Sequence, residues 1–352
     1  MADPDRRHCE EEKNSGMMVS ESRRENRPGI LCRLFGKGDW NMSMIEIRNL
    51  VKRYKDTVAL DHLNLDIEEG EIFGLLGPNG SGKTTAINCL LALLKFDKGS
   101  IKIFGKEMGP DSYEIKRQIG IVMQNVAVFN ELTVYENIDY FCGLYVPDKR
   151  VRKKLVEEAI AFTGLEGYEK KRPKKLSGGL LRRLNIACGI AHKPRLVILD
   201  EPTVAVDPQS RNKILEGICQ MNRQGSTIIY TSHYMEEVEQ ICSRIAILDK
   251  GRCLALGTKE ELKNMIKTGE KVHIEGIHLT EGQLERIRHM PQVFSTVYEE
   301  ENLTLRFEGT GSHLLSLLRY MEEEHLTCGR CFSELPTLND VFLEITGKEL
   351  RD

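Results

Sequence analysis

The chain has 352 residues, more than twice the ~150 of a typical domain, which excludes one small domain and predicts two domains or a large one with an appendage. Apolar residues make up 40% and charged residues 29%, the composition of a globular rather than a disordered protein. Lys plus Arg total 50 against 53 Asp plus Glu, a net charge of -3 without the basic surplus that a phosphate backbone requires, so no nucleic acid is expected as a partner.

Residues 1–43 carry eight acidic and eight basic side chains with little apolar periodicity, which predicts a disordered N-terminal extension. Its apolar knot, Ile30, Leu31, Leu34 and Phe35, is the one part suited to a small docking helix. No apolar h-region follows the first charges, and the longest apolar run, Tyr140 to Val146, is seven residues where a spanning helix needs about 20. A cytosolic chain without a transmembrane segment is therefore expected. Its ten cysteines should be reduced and mostly structural, as Cys89, Cys188 and Cys242 lie inside apolar runs.

From Met44 the pattern becomes strands and helices in alternation. Strands are predicted at 45–50, 58–67 and 71–77, followed by a helix in which Ala86, Ile87, Leu90, Leu91 and Leu94 recur at helical spacing. Short β-branched runs at 119–122, 195–200, 227–232 and 244–249 predict a largely parallel sheet buried between helices, interrupted by a helical stretch at about 126–190. Past Leu262, strands at 271–277, 293–301 and 302–309 and helices at 281–290 and 313–324 predict a small α+β domain over 263–352. CGRC, Cys328 to Cys331, has zinc-like spacing but no second Cys or His pair, so no metal is expected there.

Gly77, Pro78, Asn79, Gly80, Ser81, Gly82, Lys83 and Thr84 fit G-x-x-x-x-G-K-[ST], with a strand before and a helix after, and Thr85 next in line. Such a loop turns backbone N–H groups inward around phosphates, while Lys83 reaches the β and γ phosphates and Thr84 ligates magnesium. A partner acid for the metal is required on a neighbouring strand, and Asp200 ends the run RLVILD. Glu201 follows directly, placed to polarise a water for attack on the γ-phosphate.

LSGGL, Leu176 to Leu180, opens a helix 24 residues before Asp200 and resembles the signature of ATP-binding cassette proteins. Tyr54 resembles the family's adenine-stacking aromatic, Gln124 its Q-loop glutamine, Asp207 its D-loop aspartate and His233 its switch histidine. The resemblance spans about 44–265 and implies a P-loop α/β cassette, 44–262, with an antiparallel β layer and a helical subdomain. It further implies ATP and Mg2+ as cofactors, with Thr84, Gln124 and Asp200 at the metal. Gln124 and His233 would sense the γ-phosphate. Ser177, Gly178 and Gly179 would face the P-loop of a second cassette, and Asp207 would bind the nucleotide. Two positions depart from the usual pattern: Leu180 stands where Gln is common, and Ala205 where Gly often precedes the D-loop aspartate.

Only 91 residues separate Thr84 from Leu176, too few for the coiled coil of chromosome-maintenance relatives, and a single P-loop disfavours the translation-factor branch. EPTVAVDPQSR, YTSHYMEEVE and LNDVFLEITGK resemble bacterial multidrug and antibiotic exporter subunits of the daunorubicin-resistance type. The implied protein is a transport-coupled ATPase acting as a homodimer, held on the inner face of the cell membrane by a separate permease and exporting drugs, antibiotics or lipid-like compounds. A soluble regulatory or repair ATPase is the alternative. The permease is expected on Val126 to Tyr145, through Phe129, Leu132 and Tyr135 beside Glu131, Glu136 and Asp139, while Phe141 of the same segment is expected to pack the helical subdomain.

Overall fold

The computed structural model describes residues 43–347 apart from 310 and 312, so the extension's apolar knot lies outside the described residues. The described chain opens on a hairpin, β1 (Ser43–Tyr54) and β2 (Thr57–Glu68), which buries Ile45, Ile47, Leu63, Leu65 and Ile67 on its inner side. β3 (Ile72–Leu76) is buried throughout, and a glycine-rich turn leads from it into α1 (Lys83–Leu90). Helical spacing extended this helix to Leu94. It ends at Leu90 because Ala92 takes a left-handed φ of 51°. β4 (Lys98–Ile103) pairs antiparallel with β1 and carries the two-residue β5 (Lys106–Glu107), which makes a sheet of order β2-β1-β4-β5.

A short helix, α2 (Tyr113–Lys116), precedes β6 (Ile119–Val122). Three helices follow, α3 (Val134–Gly143), α4 (Lys149–Thr163) and α5 (Gly178–Ile190). Each starts on a capping side chain: Thr133, Asp148 and Ser177 accept otherwise orphaned N–H groups. Their apolar faces meet in a core of their own around Val134, Ile138, Val156, Ile160, Leu184 and Ala187.

β7 (Leu196–Asp200), α6 (Pro208–Arg223), β8 (Thr227–Ser232), α7 (Met235–Ile241), β9 (Arg244–Asp249) and β10 (Arg252–Gly257) complete the cassette. The central sheet has the order β10-β9-β3-β8-β7-β6 and is parallel except for β10. Phe73, Leu75, Leu196 and Ile198 face the antiparallel layer and α1, while Leu76, Val197, Leu199 and Ile228 face α6 and α7. Burial on both faces is why these strands read as unbroken apolar runs.

After α8 (Lys259–Lys263), a second antiparallel sheet forms from β11 (Thr268–Glu275), β12 (Val293–Glu299), β13 (Asn302–Glu308) and β14 (Arg330–Glu334), in the order β12-β13-β11-β14. α9 (Glu281–Arg288) and α10 (His313–Glu323) cover one face through Leu284, Ile287, Leu317 and Met321, and Cys328 and Cys331 pack at the edge of that cluster. α11 (Leu338–Thr346) returns to the cassette: Leu338, Val341 and Phe342 join the core containing Val238 and Ile241 of α7. Its Asp340 pairs with Lys271 of β11 at 3.2 Å, so the helix joins both units.

Candidate functional site

The glycine-rich turn between β3 and α1 is shaped by its neighbours. Gly82 has a φ of 108°, and a Cβ there would lie 2.7 Å from the Ala59 carbonyl oxygen, so only glycine fits the entry to α1. No side chain caps the helix, which leaves its first N–H groups for an anion. Gly77 and Pro78 lend their carbonyls to Lys83 Nζ at 2.7 and 3.2 Å, Asn79 and Gly80 are exposed, and the Ser81 Oγ is buried without a hydrogen-bond partner. An orphaned hydroxyl in a cradle of N–H groups fits a phosphate oxygen. Lys83 is 5% exposed, and burial lowers its pKa against the pull of Glu201 and Asp200.

Thr84 and Thr85 follow on α1. The Thr84 hydroxyl donates to Asp200 Oδ2 at 3.2 Å, and the Thr231 hydroxyl of β8 donates to Oδ1 at 2.7 Å. A threonine hydroxyl beside a carboxylate at a strand end is a hard-oxygen donor set that suits Mg2+.

Glu201, the next residue, takes a left-handed φ of 48°, a backbone that costs about 1 kcal/mol or more for a residue with a Cβ. The Thr231 side-chain oxygen accepts its N–H at 3.0 Å. Its carboxylate is where the predicted catalytic residues converge. Gln124 Nε2 donates to Oε2 at 3.2 Å, while His233 Nδ1 and Lys83 Nζ lie 3.4 and 3.6 Å from Oε1. A buried carboxylate so surrounded can accept a proton from an adjacent water.

The other predicted residues lie apart from this cluster. Tyr54 is 47% exposed at the end of β1, with Lys52 Nζ 5.2 Å from its ring centroid. Ser177 caps α5 by accepting the Leu180 N–H, and Asp207, expected at the nucleotide, has its carboxylate engaged in capping α6 through the Ser210 N–H. Gly178 and Gly179 open α5, and a Cβ at Gly179 would lie 2.5 Å from Ser210 Oγ and 3.0 Å from Asp207 Oδ2. The signature and the D-loop thus meet each other. Leu180 packs against the helical core, and Ala205 carries a left-handed φ of 58° where the family often has glycine.

Three residues escaped the sequence reading. Glu237 of α7 accepts from Thr203 (2.7 Å), Tyr230 (2.7 Å) and Ser232 (3.1 Å), which pins the turn carrying His233. Arg182 and Asn185, three apart on α5, are buried and reach the backbone beside Gln124. Their signal was polar side chains at core spacing, in the helix that the signature opens.

The ABC transporter family profile matches residues 60–204. The linearmycin resistance ATP-binding protein LnrL of Bacillus subtilis is 37% identical over 88% of this chain and all of its own length. The daunorubicin resistance ATP-binding protein DrrA3 of Streptomyces coeruleorubidus is 32% identical over 87% of this chain and 97% of its own. Among solved structures, an ATP-binding subunit of an ABC transporter aligns with a TM-score of 0.59 at 25% identity, over 63% of this chain and 93% of that one. A dimeric post-hydrolysis cassette bound to ADP and Pi aligns with a TM-score of 0.57 at 28% identity, over 61% of this chain and 98% of that one. The strand–loop–helix cradle faces Asp200 at the end of β7 and Glu201 just beyond it, one strand further from β3 than the sequence suggested because β8 lies between them, and with these relatives the chain belongs to the ABC transporter family as an ATP-binding, ATP-hydrolysing subunit.

Proposed function

We propose that this chain is the motor of an exporter whose membrane-spanning subunits are separate chains, and that two copies close around ATP to drive it. The observation that carries the reading is the meeting of Lys83, Gln124 and His233 at the Glu201 carboxylate, beside the Thr84–Asp200 pair. Lys83 and the P-loop N–H groups would hold the β and γ phosphates, Tyr54 would stack on the base, and Glu201 would take the proton of the attacking water. Gln124 and His233 would report γ-phosphate occupancy. Thr84 and Asp200, with Gln124 alongside, would hold a Mg2+ ion, which when bound neutralises phosphate charge. Ser177, Gly178, Gly179 and Asp207 would complete the P-loop site of the second copy.

Export is favoured by the relatives, whose names cite linearmycin and daunorubicin resistance and, in Ralstonia nicotianae, Nod factor export at 31% identity. No helix among the described residues is long and apolar enough to cross a membrane, and the proposed place is the cytoplasmic face of the membrane, on the permease. For the permease contact, the favoured surface is the exposed aromatic patch of the helical segment. Phe129 and Tyr140 meet edge to face at 5.0 Å, with Val126 and Leu144 exposed nearby in sequence. Phe141 packs on the helical core as expected, but Tyr135 packs there too and Leu132 is partly buried, so the patch is narrower than the sequence suggested.

Co-purification from the native host tests the proposal. Glu136 is unsuitable for charge reversal because its carboxylate closes the capping box of α3, whereas Glu131 is exposed. The unaltered chain should bring down a polytopic membrane protein and support ATP-driven efflux. Glu131→Lys with Tyr140→Ala should lose both while basal ATPase activity stays within about twofold. Full ATPase activity with no membrane partner would favour the soluble regulatory reading.

A further inference from the structure

Arg182 lies on α5, six residues beyond Leu176, and is 4% exposed. A guanidinium has five N–H donors, and here every one has a backbone carbonyl to itself. Nε donates to Pro202 at 2.7 Å, Nη1 donates to Met123 at 3.1 Å and Gln124 at 2.7 Å, and Nη2 donates to Asp200 at 3.4 Å and to Glu201. These five carbonyls belong to two segments far apart in sequence, one bearing Gln124 and the other bearing Asp200 and Glu201. Asn185, one turn further along α5, grips the first segment again: its Oδ1 accepts the Ala127 N–H at 3.1 Å.

The carbonyl of Glu201 belongs to the residue with the left-handed backbone, a conformation that must be held from outside. On its N–H side the holder is Thr231, and on its carbonyl side it is Arg182. The Gln124 amide and the Glu201 carboxylate meet at 3.2 Å only while the two segments keep their spacing, and one planar group spans both. A lysine, with three donors on a point charge, cannot hold both carbonyl sets in that plane.

We propose that Arg182 is a positioning residue for hydrolysis, fixing Gln124 and Glu201 relative to each other from the signature helix. A movement of α5 at the second copy's nucleotide then reaches the water-activating groups of this copy without passing through the P-loop. The proposal rests on Glu201 being the general base.

The test compares Arg182→Lys, Glu201→Gln and the double variant in the full chain, with melting temperature as the check on folding. Arg182→Lys should bind a fluorescent ATP analogue within about threefold of the unaltered chain while single-turnover hydrolysis falls about 10- to 100-fold, the effect of a small misplacement of reacting groups. In the Glu201→Gln background the same change should lower the remaining rate by less than about twofold, because the carboxylate that Arg182 aligns with Gln124 is already gone. Losses that multiply, a normal rate in Arg182→Lys, or binding that weakens as much as the rate would each overturn the proposal. Normal hydrolysis in Glu201→Gln alone would instead remove the general-base reading beneath it. If Arg182→Lys does not fold, the Arg182 Nε–H resonance decides: it should shift between the ADP-bound and the ATP-bound Glu201→Gln chain, and an unmoved signal contradicts the proposal.

Discussion

Around Glu201, side chains from four neighbouring strand ends reach one another within a single chain, whereas at the starts of α5 and α6 the polar residues turn back to cap their own helices. The difference follows from the fold. In the order β3-β8-β7-β6, parallel strands set their C-terminal ends side by side, so Lys83, His233, Asp200 with Glu201, and Gln124 stand in a row. The starts of α5 and α6 are served locally, by Ser177 and Asp207 on the backbone, with Gly179 pressed against Ser210. The first region is assembled by one chain; the second presents helix starts that are already capped, which under the proposed function would meet the nucleotide of a second copy.

Substitutions in the two regions should therefore fail differently. The largest loss is expected for Glu201→Gln: hydrolysis about 10²- to 10⁴-fold slower with ATP binding kept, read by phosphate release and by equilibrium binding. A normal rate would end the role given to the convergence on this carboxylate. Lys83→Ala should lose about 10²- to 10³-fold in hydrolysis and weaken ATP binding as well, since it removes the cation that closes the cradle. Binding and turnover thus separate two residues whose charged groups stand 3.6 Å apart.

On the other side of the comparison, Ser177→Ala should cost about 1 kcal/mol in denaturant unfolding, the worth of the lost cap. ATP affinity at low protein concentration should stay unchanged while turnover falls, and equal losses of both would place the signature at its own chain's nucleotide. The smallest effect is expected at Ala205, whose left-handed φ of 58° glycine adopts freely. Ala205→Gly should stabilise by a few tenths to about 1 kcal/mol, read as a raised denaturant midpoint. Unchanged or lower stability would mean that the strain there is already relieved.

The P-loop, Asp200 and Glu201 were legible because their chemistry is local: glycines, one lysine and two acids at fixed offsets from strand ends. Arg182 was not, since its partners are backbone carbonyls about 20 and 60 positions away, which no side-chain pattern records. Strands with two buried faces or strict alternation could be read, and β11 alternates buried with half-buried residues along its whole length. β14 could not be read, because an edge strand with four exposed residues of five carries no apolar period. Tyr135 was expected at a docking surface because it is aromatic and follows Gln124. It lies against the helical core because its position on α3 turns it inward.

Light scattering of Glu201→Gln with ATP and Mg2+, against the same protein with ADP, tests most directly whether one chain holds only part of the site. Twice the chain mass with ATP, two nucleotides bound per pair, and the mass of one chain with ADP are expected. A species of one chain's mass with ATP bound, at concentrations where the unaltered protein hydrolyses ATP, would contradict that expectation.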